Sequence, residues 1–196
     1  MINKQDFEKY SQFFIEENHK VNLISKNDEK FLWEKHICDS LSLEKFFDKY
    51  DVPENLLDIG TGGGFPSVPL AIKYPQIKIT AIDSIGKKIR AVQNLKEKLN
   101  LENLTPICAR VENTNGEFDV VTSRAVASLD KICSYALPKI KKGGYFVAFK
   151  SKKAQEEIDK AQKILKKYNA KIIDIIEYTL PLEEQLNRNL IIIQLQ

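Results

Sequence analysis

The strongest constraint in this chain is an apolar strand that runs directly into a glycine-packed turn, Leu56-Leu57-Asp58-Ile59-Gly60-Thr61-Gly62-Gly63-Gly64-Phe65-Pro66. Glycines at 60, 62 and 64 accept positive φ and carry no Cβ, so a ligand can approach the main chain closely. Pro66 lacks an N–H and has φ preset near the helical value. It reads as the first residue of a helix whose N-terminus faces that ligand. A second signal follows in Ile77-Lys78-Ile79-Thr80-Ala81-Ile82-Asp83, a β-patterned run ending in a carboxylate. An acid at the tip of the second strand, about twenty residues past the turn, is placed to accept both hydroxyls of a ribose.

The dinucleotide fingerprint G-x-G-x-x-G would need glycine at 65, where this chain has Phe65. A pyrophosphate needs that third glycine for close helix packing. S-adenosylmethionine has no phosphate to cradle, and its methionine end needs a small turn and a carboxylate such as Asp58. The departure therefore favours that cofactor, with Gly60, Gly62, Asp58 and Asp83 as candidate contacts. The plainer alternatives are a tight βα connection for the glycines and a helix cap for Asp83.

Along the chain, helical and strand patterns alternate after a helical preface. Phe7, Tyr10 and Phe14 fall at helical spacing behind Asn3 as N-cap, and that helix ends around Glu16 to Lys20. A second helix, striped by Trp33, Ile37 and Leu41, runs from Asn27-Asp28 to about Tyr50, before Pro53. Then come strand 55–60, helix 66–74, strand 77–83, helix 85–100 with Ile85, Ile89, Val92 and Leu99 inward, strands 104–109 and 118–124, and helix 128–141. Tyr145 to Phe149 read as a buried strand. A helix carrying Ile158, Ala161, Leu165 and Tyr168 follows, then strands 171–180 and 189–196 as an antiparallel hairpin. Such alternation builds an α/β fold, a mostly parallel sheet covered on both faces. A parallel sheet closed by one antiparallel hairpin is the arrangement of Rossmann-like methyltransferases, seven strands in the order 3-2-1-4-5-7-6. Gly60, Asp83, the segment after Ala109 and the segment around Arg124 are then expected to converge beyond the carboxyl ends of the strands. One domain is expected, with residues 1–50 a helical extension packed on a 51–196 core.

The chain also resembles the bacterial small-subunit ribosomal RNA guanine-N7 methyltransferases, the RsmG or GidB family. The resemblance is carried by Val21-Asn22-Leu23-Ile24, Lys35-His36 with Asp39-Ser40-Leu41, the Asp58 to Pro66 run, Asp83-Ser84 with Lys87-Lys88, Arg110-Val111-Glu112, and Thr122-Ser123-Arg124-Ala125-Val126-Ala127. It implies that Gly60, Phe65, Val111, Glu112 and Arg124 contact S-adenosylmethionine or line its pocket, and that the substrate is 16S ribosomal RNA. Ser67 and Val111 stand where the family often has glycine and alanine, and neither change removes a polar group. Guanine N7 carries a lone pair and no proton, so no general base is expected. Arg124, Lys150 and His36 are candidates for positioning, Arg124 on either the cofactor carboxylate or an RNA phosphate. Lys150, Ser151, Lys152 and Lys153 form a basic run at the crevice mouth, a phosphate grip or simply a solvated face.

Composition bounds the remaining classes. No uninterrupted apolar stretch among the 196 residues approaches a membrane span and the N-terminus has no signal-peptide core, so a cytoplasmic protein without membrane attachment is expected. Three scattered cysteines suit buried reduced thiols. Two histidines without a C-x-x-C argue against a metal. A net charge of +3 permits an RNA partner without demanding one, and a monomer is expected. A methyltransferase of another RNA, a protein or a small molecule, a non-catalytic RNA-binding assembly module, and a nicotinamide-dependent oxidoreductase are the competing readings.

Overall fold

A computed structural model describes residues 3–151 and 154–196 of the protein. The Asn3 side chain accepts the Gln5 N–H at 3.1 Å and opens a 3-10 turn, Lys4–Phe7, that leads into α1 (Glu8–Val21). The expected single second helix is broken. It becomes α2 (Lys26–Glu29), a π-helical segment Leu32–Cys38, α3 (Asp39–Leu41) and α4 (Glu44–Tyr50). Apolar residues at 33, 37 and 41 repeat every four positions, wider than the 3.6 of an α-helix. An over-wide turn absorbs that drift and buries Leu32, Ile37 and Leu41 together.

The core follows as β1 (Asn55–Ile59), α5 (Ser67–Lys73), β2 (Lys78–Asp83), α6 (Gly86–Leu99), β3 (Leu104–Cys108), β4 (Phe118–Arg124) and α7 (Leu129–Ala136). It closes with β5 (Ile140–Lys150), α8 (Ala154–Lys167), β6 (Ala170–Leu180) and β7 (Leu186–Leu195). The sheet order is β3-β2-β1-β4-β5-β7-β6. β3, β2, β1, β4 and β5 are parallel, whereas β7 runs antiparallel to both β5 and β6. The fold class is the one the alternation predicts, and the strand order is the one expected from the likeness to Rossmann-like methyltransferases. Boundaries move most at Pro138, which lies in a 3-10 turn after α7 and lacks the N–H a longer helix would need, so β5 begins at Ile140.

Period-two alternation sorts the strand residues onto two covered faces. Leu56, Ile79, Ala81, Val120, Val147, Phe149, Leu190 and Ile192 pack on one side against the N-terminal helices, α5 and α6. Leu57, Ile59, Ile82, Val121, Phe146, Ala148, Ile191 and Ile193 pack on the other against α7 and α8. The N-terminal segment is part of the first layer. Phe14 lies 5.0 Å from Phe65, Asn94 donates to the Glu17 carboxylate at 3.0 Å, and Lys98 pairs with Glu16 at 2.8 Å. The same helices therefore bring residues 32–39 to the carboxyl edge of the sheet.

Candidate functional site

The site begins where β1 ends. Gly60, at φ 72°, and Thr61 both donate their N–H to the Ile82 carbonyl, at 2.8 and 2.9 Å, so the turn is stitched to the neighbouring strand. A Cβ on Gly60 would stand 2.4 Å from a Val126 methyl, whereas at Gly62 nothing but the Gly60 carbonyl at 3.9 Å is near. Main chain at 60–63 forms one wall of a cavity of about 630 Å³. Asp83, Val111, Glu112 and Arg124 line the same cavity, which brings together the four chain regions expected to converge. Its volume suits a ligand of nucleoside size.

Asp83 is tied on both oxygens. It accepts the Gly62 N–H at 3.0 Å and the Ile85 N–H at 2.9 Å, so it braces the turn and opens α6 at once. A carboxylate has about four acceptor sites, so two remain for hydroxyls. Glu112 is exposed on a 3-10 turn, Val111–Asn113, at the far rim. Phe65 both lines the cavity and belongs to the core, at 4% exposure, under the rings of Tyr10, Phe14 and His36.

Three expectations are corrected. Asp58 shares its strand face with Leu56, so alternation turns it under the turn and away from the cavity. It is fully buried, with Oδ2 accepting the Ser67 hydroxyl at 2.7 Å and Oδ1 unpartnered among the described residues. Burial pushes its carboxyl up to about 7, against the hydrogen bond from Ser67, whose hydroxyl in turn accepts that of Thr61 at 3.2 Å. Second, Pro66 precedes α5, which starts at Ser67, and neither residue lines the cavity, so this helix does not aim its N-terminus at a ligand there. Third, Ile85 is no core residue. It is 42% exposed and lines the cavity with Val126 and Tyr135, half of the six large apolar residues exposed among the described ones. Such residues kept in water around one concavity mark a binding surface.

A second cavity, about 710 Å³, lies across Arg124 and shares His36, Ala125 and Val126 with the first. Ala125 is held at φ 56°, an uncommon conformation for a residue with a side chain, between the two. Four cations gather here, Lys35, Arg124, Lys150 and Arg188, and three of them have a carboxylate partner. Arg124 pairs with Asp39 at 2.9 Å, Lys150 with Glu157 at 2.7 Å and Lys35 with Asp28 at 2.8 Å. Lys150 is 10% exposed and also donates to the Ala127 carbonyl, so it is a committed group here and not a loose surface charge. Lys152 and Lys153 lie outside the described residues. His36 carries a ring whose pKa burial, aided by Arg124, depresses to about 4.

Asp39, Tyr178 and Arg188 were not legible as site residues from spacing alone. Tyr178 donates to Asp39 at 2.7 Å from 139 residues away, and no local pattern announces such a contact. Arg188 lines the second cavity from β7. Of the cysteines, Cys133 is buried, with its thiol pushed up to about 12, but Cys108 is exposed, unlike the buried thiol expected. Among the described residues, no His, Cys, Asp and Glu group could hold a metal ion, and no helix is long and apolar enough to cross a membrane.

The residues present suit S-adenosylmethionine. The bare main chain at 60–63 admits a close approach, acids stand at Asp83 and Glu112, apolar surface is supplied by Ile85 and Tyr135, and a cation by Arg124. Solved structures agree on the fold. TrmN from Thermus thermophilus superposes at a TM-score of 0.62 with 15% identity, over 80% of this chain and 48% of that one. Precorrin-6y C5,15-methyltransferase from Geobacter metallireducens gives 0.56 and 17%, over 90% and 93%. TYW2 from P. horikoshii, solved in complex with MeSAdo, gives 0.57 and 17%, over 71% and 56%. Closer relatives are called ribosomal RNA small subunit methyltransferase G. The one from Lactobacillus acidophilus is 38% identical, over 97% of this chain and 82% of its own length; that from Staphylococcus saprophyticus is 37% identical, over 97% and 81%. Since the family model GidB, rRNA small subunit methyltransferase G, also matches residues 3–186, this chain belongs to that family of Rossmann-like methyltransferases.

Proposed function

We propose that this protein transfers a methyl group from S-adenosylmethionine to N7 of a guanine in small-subunit (16S) ribosomal RNA, acting as a cytoplasmic monomer. The observation that carries the reading is the pair of adjoining cavities that meet at Arg124, one built on bare main chain and one ringed by cations. Bound S-adenosylmethionine supplies an electrophilic methyl on a sulfonium. Asp83 and Glu112 would hold hydroxyl and adenine groups, and Gly60 to Gly63 would admit the cofactor against the backbone. Arg124 would face an anionic group.

Guanine N7 presents an in-plane lone pair with no proton to remove, so the residues need only orient, exclude water and balance charge. Fixing two reactants in line is worth roughly 7 to 11 kcal/mol. In the same reading residues 1–50 and 51–196 form one cooperative domain, because the N-terminal helices supply part of both cavity walls. The reading is tested by mapping N7 methylation of 16S ribosomal RNA with and without the protein. A single guanine that loses its methyl without it, and regains it from purified protein and S-adenosylmethionine, is the expected result. An unchanged map would overturn it.

A further inference from the structure

Arg124 is the only residue of β4 whose charge reaches both cavities, and its direction is set from outside the strand. Its Nη1 donates to Asp39 Oδ2 at 2.9 Å and, at longer range, to the carbonyls of Lys35 and His36 at 3.4 and 3.5 Å. Its Nη2 lies 3.2 Å from His36 Nδ1. A guanidinium has donors and no acceptor, so Nδ1 must be the unprotonated nitrogen, with the ring proton on Nε2. Nε2 is buried and has no partner among the described residues. Nε of Arg124 likewise finds no acceptor among them.

The π-helical segment makes this possible. It brings two successive carbonyls and one ring to the same guanidinium, the His36 carbonyl also accepting the Ser40 hydroxyl at 2.6 Å and the Asp39 N–H. Beneath them, Phe65 stacks 4.9 Å from the guanidinium carbon and 5.0 Å from the His36 ring. Phe65 fixes the plane and Asp39 fixes one edge. Something must fix the rotation about that edge.

We propose that His36 is a positioning residue, its Nδ1 being the neutral hydrogen-bond acceptor that fixes the Arg124 guanidinium on the wall shared by the two cavities. The inference rests on the methyltransferase reading above. A second charge at this position would repel Arg124, and burial beside that cation keeps the ring neutral. Packing alone does not require an acceptor. A phenyl ring would fill the same space and leave Nη2 unpaired beside both ligands.

That difference gives the experiment. In His36→Asn the amide oxygen reaches the place of Nδ1, whereas His36→Phe keeps the ring and removes the acceptor. S-adenosylhomocysteine affinity is measured by calorimetry, methyl transfer to 30S particles or 16S RNA by kcat and KM, and folding by Tm. The Phe variant is expected to keep its Tm within a few degrees yet lose roughly ten-fold in S-adenosylhomocysteine affinity, in kcat, or in both, as for a hydrogen bond to a charged group. The Asn variant should stay within about three-fold of the parent in both. If the Phe variant matched the parent, or the Asn variant fell as far as the Phe variant, the assignment would be overturned. Should the Phe variant fail to fold, His36→Leu makes the same comparison with less bulk. Parent protein that does not bind S-adenosylhomocysteine at all would overturn the methyltransferase reading instead.

Discussion

The two adjoining cavities are built by opposite means. The wall at Gly60 to Gly63 is main chain, pinned by N–H groups on the Ile82 carbonyl and by Asp83. The second cavity is walled by cationic side chains from β4, β5, β7 and the N-terminal helices, and three of them already face a carboxylate: Lys35 on Asp28, Arg124 on Asp39, Lys150 on Glu157. A main-chain cavity is preformed and changes little when a ligand enters. A largely neutralised cationic one would offer the charge of Lys35, Arg124 and Lys150 to an incoming phosphate by exchange of partners, and that of Arg188 without it. On the proposed function, the first would set cofactor identity by shape, and the second would make substrate binding in part a competition between carboxylate and phosphate.

The hardest blow to that contrast is Asp39→Ala. Its carboxylate is 8% exposed and Arg124 14%, so removal strands a nearly buried cation. Breaking such a pair costs about 3 to 5 kcal/mol, to which Tyr178 adds a donor left without its acceptor. Urea unfolding should show a loss of about 3 kcal/mol. A loss below about 1 kcal/mol would mean that Arg124 relaxes into the second cavity at little cost, and the charge there would then be available without exchange.

Next in size is Asp83→Ala, which strikes the main-chain cavity. It removes the acceptor for Gly62 and for Ile85 as well as the candidate ribose contact. Hydrogen bonds to a charged group are worth about 1.5 to 3 kcal/mol, so calorimetry should show S-adenosylmethionine binding weakened at least ten-fold. Unchanged affinity would leave Asp83 a brace for the turn and α6 and nothing more.

This contrast also explains what could be read in advance. The main-chain cavity is encoded locally, by a strand, three glycines and an acid one strand on; the alternation and the final hairpin marked a mostly parallel sheet, and its strand order came from the likeness to Rossmann-like methyltransferases. The second cavity depends on contacts such as Arg124 with Asp39, 85 residues apart, and Tyr178 with Asp39, 139 apart. No periodicity marks a pair of that separation. Asp58 failed for a different reason. Its position one residue before the end of β1 was legible, but the face it takes follows from strand alternation, which set it with Leu56 and against α5. Ile85 was assigned to the core because it continues the apolar stripe of α6, yet the helix begins only at Gly86, and a residue before the first turn need not follow the stripe.

A smaller effect sharpens the account of the cationic cavity. Arg188 lines it and makes no ion pair among the described residues. Arg188→Ala should lower the slope of log affinity for 16S RNA against log salt by about 0.7 to 0.9, one phosphate contact. Glu157→Gln should act the other way, since it frees Lys150, and the slope should steepen by a similar amount. Equal slopes in both variants would mean that neither cation meets a phosphate, and the partner exchange would have no role at this cavity.

The finest test concerns the buried layer beneath the main-chain wall. Asp58, at about 7 in the folded protein against an ordinary 3.8, binds more proton folded than unfolded between those values, so its contribution to stability falls as pH rises through that window. His36, at about 4 against 6.5, binds less proton folded, so its contribution rises over the overlapping window. The two oppose each other from about pH 4 to 6.5. Asp58→Asn should therefore show a larger gain in stability from pH 5 to 7 than the parent, and His36→Asn a smaller one, each by less than one proton, or about 1.4 kcal/mol per pH unit at most. Carboxylates elsewhere with lowered values that face neither group, such as Asp119 and Asp174, are common to all three proteins and cancel in the comparison. Urea midpoints at three pH values decide it. If Asp58→Asn tracked the parent, the carboxyl beneath Gly60 would titrate as though hydrated, and the wall above it would be as adjustable as the cationic cavity across Arg124.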